Sequence, residues 1–274
     1  MKIIIETPQL ELWRIEEAFS NLPHVHEDRL QLTIPTKGIC YLTQENKDYG
    51  IRDGHGLLQY SAQEHSFRIG EDSSVIVIQI RNDRPSDFFR EPEVDFAMQQ
   101  TFDPSLIMKQ FQSWSSELFR GDPADPLAVD ETESRVLSFL YYSLKGSHAI
   151  NGGNPVPFSA PGDGLTSSDR HMTRVLDYIH ASYTDRINID TLAAIALQSR
   201  FHFIRTFKAY THKTPYQYVL GLRMEEAKKQ LRQGGCTITQ MSVKLGFSST
   251  SQFYRAFLKA VGVTPEEFRT SSSR

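Results

Sequence analysis

Residues 245–269 read LGFSSTSQFYRAFLKAVGVTPEEFR, and the same pattern stands fifty residues earlier in the chain. At that shift Ser199 meets Ser249, Phe203 meets Phe253, Arg205 meets Arg255 and Phe207 meets Phe257. Further on, Thr214 meets Thr264, Pro215 meets Pro265 and Tyr218 meets Phe268. Self-similarity at a fixed period marks a repeated supersecondary unit. Each copy holds a short apolar helix, a turn and a second helix. These are INIDTLAAIAL and SRFHFIRTFKAY in the first copy, TITQMSVKLGF and STSQFYRAFLKAV in the second. Phenylalanines at i and i+4 share one face of a helix and pin it to a core. The opposite face carries Arg200, Ile204 and Arg205, or Thr250, Ser251, Tyr254 and Arg255. A helix pair whose second member shows a polar, basic face predicts a helix-turn-helix unit. The two units fall at about 189–210 and 239–261, joined by a helix over 215–232. Plain αα-hairpins share this outline. The repeat, the matched arginines and the charge described next favour the DNA reader.

The chain has 274 residues with a net charge of -3. That total conceals an asymmetry. From Thr166 onward there are 16 Lys and Arg against 8 Asp and Glu, a net of +8. The preceding residues carry -11. A basic half predicts a polyanionic partner and a division of labour between halves. Cys40 and Cys236 form neither a disulfide framework nor a Cys-x-x-Cys site. No secretory leader and no stretch near the ~20 apolar residues of a membrane span is evident, which predicts a cytoplasmic protein.

The first hundred residues read as short strands. Ile3 to Ile5, Gln31 to Ile34, Gly38 to Thr43, Leu57 to Ser61 and Val75 to Ile80 are rich in β-branched or aromatic residues between turn signals. Two helices follow, Pro104 to Arg120 and Val129 to Leu144. A Gly-, Pro- and Ser-dense stretch then reads as a flexible linker. The expected organisation is an α+β chain of two domains. Residues 1–145 form a small barrel or sandwich with two helices, 146–168 the linker, and 169–274 an all-α domain.

The last hundred residues resemble the DNA-binding domain of AraC/XylS-family transcription regulators. The likeness rests on RTFKAYTHKTPYQYVLGLRMEEAKKQL and on GFS, F-x-R-x-F, G-V-T-P and F-R in the second copy. It implies two second helices in successive major grooves of an operator. Arg200, Phe201, Ile204 and Arg205 would face one groove. Thr250, Ser251, Gln252 and Arg255 would face the next. Lys208, Lys213, Lys228, Lys229 and Lys244 would meet phosphates, although some lysines are only solvated helix faces. Phe201 and Ile204 cannot donate hydrogen bonds and suit thymine methyls. Leu197 stands where the family has glycine in the turn, Gln198 where it has an apolar residue, and His212 where it has glycine. Leucine tolerates a positive φ poorly, so the first turn is expected to differ in shape.

The stretch PHVHEDRLQLTIPTKG, with His65 later, resembles the metal motifs of cupin barrels. That resemblance implies a cupin-like sensor domain. His24, His26, Gln31 and His65 would bind a ligand, and His24, His26 and His65 a divalent metal. Glutamine at position 31 replaces the usual glutamate and is a weaker ligand. A metal-free pocket for a small-molecule effector and purely structural histidines remain alternatives, and no cofactor is required. Trp13, Tyr41, Tyr60 and Arg68 are candidates to line the barrel. Family likeness also implies a homodimer contact on the two helices, with Leu106, Phe111, Trp114 and Leu118 exposed. The expected function is a ligand-responsive transcription regulator and not an enzyme, with double-stranded DNA as partner and RNA polymerase if it activates. A metal-dependent cupin enzyme tethered to DNA and an adaptor whose barrel binds another protein are the alternatives.

Overall fold

Strands fill the first hundred residues and helices the remainder, following the change of hydrophobic period from two to about 3.6. The computed structural model describes residues 2–81, 96–120, 125–146 and 167–272. The expected linker thus lies outside the described residues between 147 and 166. The strands are β1 (Lys2–Glu6), β2 (Leu10–Glu16), β3 (Phe19–Ser20), β4 (Arg29–Lys37) and β5 (Ile39–Gln44). They continue with β6 (Lys47–Arg52), β7 (His55–Gln59), β8 (His65–Ile69), β9 (Ser74–Arg81) and β10 (Gln99–Thr101). The helices are α1 (Pro104–Arg120), α2 (Pro126–Gly146), α3 (Ser167–Ser182), α4 (Ile189–Ala196) and α5 (Arg200–Thr211). They end with α6 (Pro215–Gln233), α7 (Ile238–Lys244), α8 (Thr250–Val261) and α9 (Pro265–Ser272).

The strands pair antiparallel in two sheets, β1-β2-β9-β4-β7-β10 and β3-β8-β5-β6. Where a barrel or sandwich is expected, the described strands form two sheets that do not close into a barrel. Among the described residues no ladder joins the two sheets edge to edge. The chain leaves the first sheet through a bulge between Pro35 and Lys37 and enters the second at Ile39. Gly38 makes that passage at φ 74, where a β-carbon would lie 2.5 Å from Ser73 Oγ. A bulge followed by glycine is how a strand turns a corner between sheets.

Alternation along the strands fills the space between the sheets. Ile15, Leu57, Val75 and Val77 from the first sheet meet Cys40, Leu42, Ile51, Phe67 and Ile69 from the second. Burial pushes the Cys40 thiol up to about 12, so it stays protonated and packs as a small hydrophobe. The other face of β9, with Ile76, Ile78 and Ile80, is also buried. Phe111 and Trp114 are buried in the same unit, which corrects their expected exposure at a dimer contact. The helix spends that stripe inside its own protomer. Leu106 remains exposed and Leu118 is half-buried.

The described chain divides into two compact units, Met1–Ser116 with Arg135–Pro157 and Glu117–Ser134 with Phe158–Arg274. This division falls within α1 and α2. The reason is chemical. Leu127 sits in the core of the helical unit, and Asp125, Asp130 and Glu131 are tied to its helices. That unit has two cores. Met172, Val175, Ile179, Leu192, Phe203, Phe207 and Val219 build one. Met224, Ala227, Leu231, Met241, Leu245, Phe253 and Phe257 build the other. Helix α6 feeds both. No described helix is long and apolar enough to cross a membrane.

Candidate nucleic-acid interface

The two helix pairs, α4–α5 and α7–α8, are built alike down to single groups. Ser199 and Ser249 cap α5 and α8, each accepting from the backbone N–H three residues on. His212 and Gly262 end these helices in the left-handed conformation, at φ 58 and 86. Thr214 then caps α6, and Thr264 Oγ1 accepts from Glu267 N. Phe203 stacks near Phe207 with centroids 5.5 Å apart, and Phe253 near Phe257 at 5.7 Å. Arg205 and Arg255 both emerge exposed between these buried pairs.

The turns inside the two units share one cap. Gln198 N–H donates to Ala193 O at 2.9 Å, and Phe247 N–H donates to Ser242 O at 3.0 Å. Leu197 at φ 54 therefore stands where Gly246 stands at φ 76. The expected difference in shape is a difference in length. One further residue separates the cap from Ser249 than from Ser199. Gln198 stands where Phe247 is buried, and its Oε1 has no hydrogen-bond partner among the described residues.

The expected DNA-facing residues do not all face outward. Ser251 and Arg255 are exposed on α8, and Arg205 is exposed on α5. Gln252 is buried, and Thr250 Oγ1 lies 3.2 Å from Ser242 Oγ. Phe201 is half-buried, and Ile204 packs against the first core. Arg200 is held. Its Nη2 donates to Asp130 Oδ1 at 2.6 Å, and its Nε lies 3.3 Å from Asp190 Oδ1 without hydrogen-bond geometry. Lys228 and Lys229 pair with Glu225 and Glu226 on the exposed side of α6. Lys208, Lys213 and Lys244 are exposed.

Sequence reasoning missed the acidic turn of α2. Asp130 Oδ2 accepts from Ile189 N at 3.1 Å while Oδ1 takes Arg200. Burial pushes its carboxyl up, against the pull of Arg200. Glu131 accepts from Tyr216 N, and burial raises its carboxyl to about 7. Asp125 Oδ2 accepts from Arg223 Nη1 at 3.0 Å, deep under the second turn. The partners lie 59 to 98 residues away in sequence, so no local pattern announces them.

In the strand-rich unit His24, His26 and His65 converge, with candidate ligand atoms within 4.8 Å of one another. Backbone pairing of His24 with His65 brings the first and last together. His24 Nδ1 lies 2.9 Å from Leu22 O, and His65 Nδ1 lies 2.9 Å from Gln63 O. A carbonyl can only accept, so both Nδ1 atoms carry hydrogen, and in a neutral ring Nε2 then keeps the lone pair. His65 Nε2 is buried without a hydrogen-bond partner among the described residues. Burial, and for His26 the neighbouring histidines, hold His26 and His65 below the ordinary imidazole range. Neutral imidazoles are what a metal ligand set needs.

Gln31 reaches the trio only through a residue that the sequence reading missed. Gln79 Nε2 lies 3.3 Å from His26 Nε2 and donates to Gln31 Oε1 at 2.8 Å. The signal was present as the one polar residue inside VIVIQI. Of the other expected lining residues, Trp13 packs on the inner core. Tyr60 hydrogen-bonds to Phe96. Tyr41 lies exposed on the outer face beneath the Arg68 guanidinium, 4.8 Å from its ring centre.

A family described as a helix-turn-helix domain matches residues 192–271. The chain is 23% identical over 255 residues to the uncharacterized HTH-type transcriptional regulator YdeC of Bacillus subtilis (strain 168). That match covers 91% of this chain and 86% of the relative. It is 36% identical over 101 residues to the uncharacterized HTH-type transcriptional regulator YobQ of the same organism, covering 37% of this chain and 42% of the relative. Among solved structures, an AraC-type transcriptional regulator from Chromobacterium violaceum shares 28% identity, with a TM-score of 0.36. It covers 39% of this chain and 96% of its own.

Proposed function

We propose that this chain is a DNA-binding transcriptional regulator with an AraC-type helix-turn-helix domain at its C-terminus, and that α5 and α8 enter two successive major grooves of one operator. The strand-rich unit holds a small molecule that sets how well they do so. The observation supporting the two-groove reading is the equivalence of the helix pairs, with Arg205 and Arg255 exposed at the same position of each. An arginine fork there can take guanine O6 and N7 bidentately. Ser251 flanks Arg255, and Lys208, Lys213 and Lys244 supply salt-dependent phosphate contacts. The protein works as a homodimer in the cytoplasm, and activation would add RNA polymerase as a partner. Selection of bound DNA from a random pool, with and without cell metabolites, tests this reading. The expected result is an enriched sequence whose recovery changes with a metabolite. Recovery of no preferred sequence refutes it.

A second reading concerns the sensor. The convergence of three imidazoles, two of them with Nδ1 turned to a backbone carbonyl, supports a divalent metal at His24, His26 and His65, in a cupin-like site. Gln79 and Gln31 would lie behind it as a hydrogen-bonded second layer. Metal analysis after dialysis tests this, with His65→Ala as the control that must lose the metal.

A further inference from the structure

We propose that Asp130 is an internal competitor for Arg200, so that the first reading helix presents one arginine fewer to DNA while the pair is made. The inference rests on the reading of α5 as a DNA-contacting helix. Arg200 is the first residue of α5, at the end that approaches base edges and phosphates in helix-turn-helix docking. Its Nη2 is committed to Asp130, and Asp190 lies against its Nε. A guanidinium whose Nη2 is committed to a carboxylate has that donor and much of its charge withdrawn from a phosphate or a guanine. The pair is not a loose surface contact. The two side chains are only 14% and 16% exposed, and Asp130 is fixed a second time by Ile189 N.

The surroundings bear on the direction of the effect. Asp130 belongs to the start of α2, which also delivers Glu131 to Tyr216 N, and Asp125 just before the helix takes Arg223. This stretch places negative charge against a unit that is otherwise basic. Among the described residues the second helix pair has no such clasp at the matching place. There the residue is Thr250, beside Ser242 Oγ at 3.2 Å. The two heads therefore differ in one removable charge, and the difference sits on a helix whose later residues, from Arg135, belong to the strand-rich unit.

The test uses the full chain and the selected operator. Affinity is measured over a salt series for wild type, Asp130→Asn, Arg200→Gln and the double variant. Asparagine keeps an acceptor for Ile189 N and removes the charge. Asp130→Asn is expected to bind roughly tenfold tighter, the scale of one charge-assisted contact. Its plot of log affinity against log salt is expected to steepen by about 0.9, one further phosphate neutralised. Arg200→Gln alone leaves affinity nearly unchanged, and in the double variant the gain disappears. Asp130→Asn binding no tighter than wild type overturns the proposal, as does a roughly tenfold loss in Arg200→Gln alone. If Asp130→Asn does not fold, as judged by thermal melting, Arg200→Gln decides by itself. Wild-type binding with neither response defeats this inference alone, whereas binding by none of the four defeats the DNA reading as well.

Discussion

A β-carbon on Gly246 would lie 2.2 Å from the carbonyl oxygen of Thr184. The second helix-turn-helix turn is thus pressed against the loop before α4, and only glycine fits. Arg223 reinforces the contact by donating through Nε to Tyr183 O and through Nη2 to Asp185 O, at 2.7 and 2.9 Å. Leu197, at the corresponding point of the first turn, is 77% exposed and adopts the same left-handed backbone without that crowding.

Opposite substitutions at these two positions should therefore have opposite signs. Gly246→Ala meets both the carbonyl and the left-handed penalty of ~1–2 kcal/mol, and is expected to destabilise the helical unit by more than about 2 kcal/mol. Leu197→Gly relieves the backbone while losing little packing, and is expected to stabilise by about 0.5–1 kcal/mol. Urea unfolding of both variants checks this, and two changes of the same sign would refute it.

Glu131 makes the helical unit sensitive to pH. Burial raises its folded-state carboxyl from 4.5 to about 7, so between those values the folded form holds a proton that the unfolded form releases. Its contribution is most favourable below about pH 4.5, is lost as pH rises to about 7, and is flat above, with an upper bound of about 3 kcal/mol. Glu131→Gln removes the charge and keeps an acceptor for Tyr216 N. The variant should be more stable than wild type by about 1–3 kcal/mol near pH 8, with the gap closing toward pH 4.5. A gap independent of pH would rule out this account.

Arg255→Ala should cost roughly 1–3 kcal/mol of sequence-specific binding and relax discrimination at one operator position. Lys208→Ala should instead weaken all sequences alike and lower the salt slope by about 0.9. Competition binding against a scrambled duplex separates the two. Unchanged discrimination in Arg255→Ala would remove it from the reading surface.

His26 and His65 give the strand-rich unit the reverse pH dependence. His26 and His65 are held below 6.5 mainly by burial, so the unfolded chain takes up protons first as pH falls. Their contribution is fully present above about 6.5 and is lost as pH falls through the lowered folded-state values. Zinc or cobalt added at neutral pH should raise the melting temperature, and His65→Ala should abolish that rise. No shift with either ion would leave the trio structural.

The sequence by itself determined the helical half of this protein. Its repeat, caps and Phe pairs are local, because a helix satisfies its hydrogen bonds and shows its buried face within a few residues. The exposed places of Arg205 and Arg255 follow from the same period. In the strand half it found β1, β4, β5, β7 and β9 but not β3, β6, β8, β10 or β2, whose LELWRIE run carries Glu11, Arg14 and Glu16. Glu11 is tolerated inside because Arg29, from β4, pairs with it. His24, His26 and His65 were legible as a set, since the first two alternate along the chain and the third lies in the second motif.

Only the tertiary structure decided which of the named residues are accessible. Arg200 reads as a DNA contact until Asp130, 70 residues earlier, is seen to hold it. Phe111 and Trp114 read as a dimer surface until they are seen to be buried. Gln31 reads as a ligand until Gln79 is seen between it and His26. In each case the deciding group is remote in sequence. Charge pairing and burial act through space, and a one-dimensional period cannot report them.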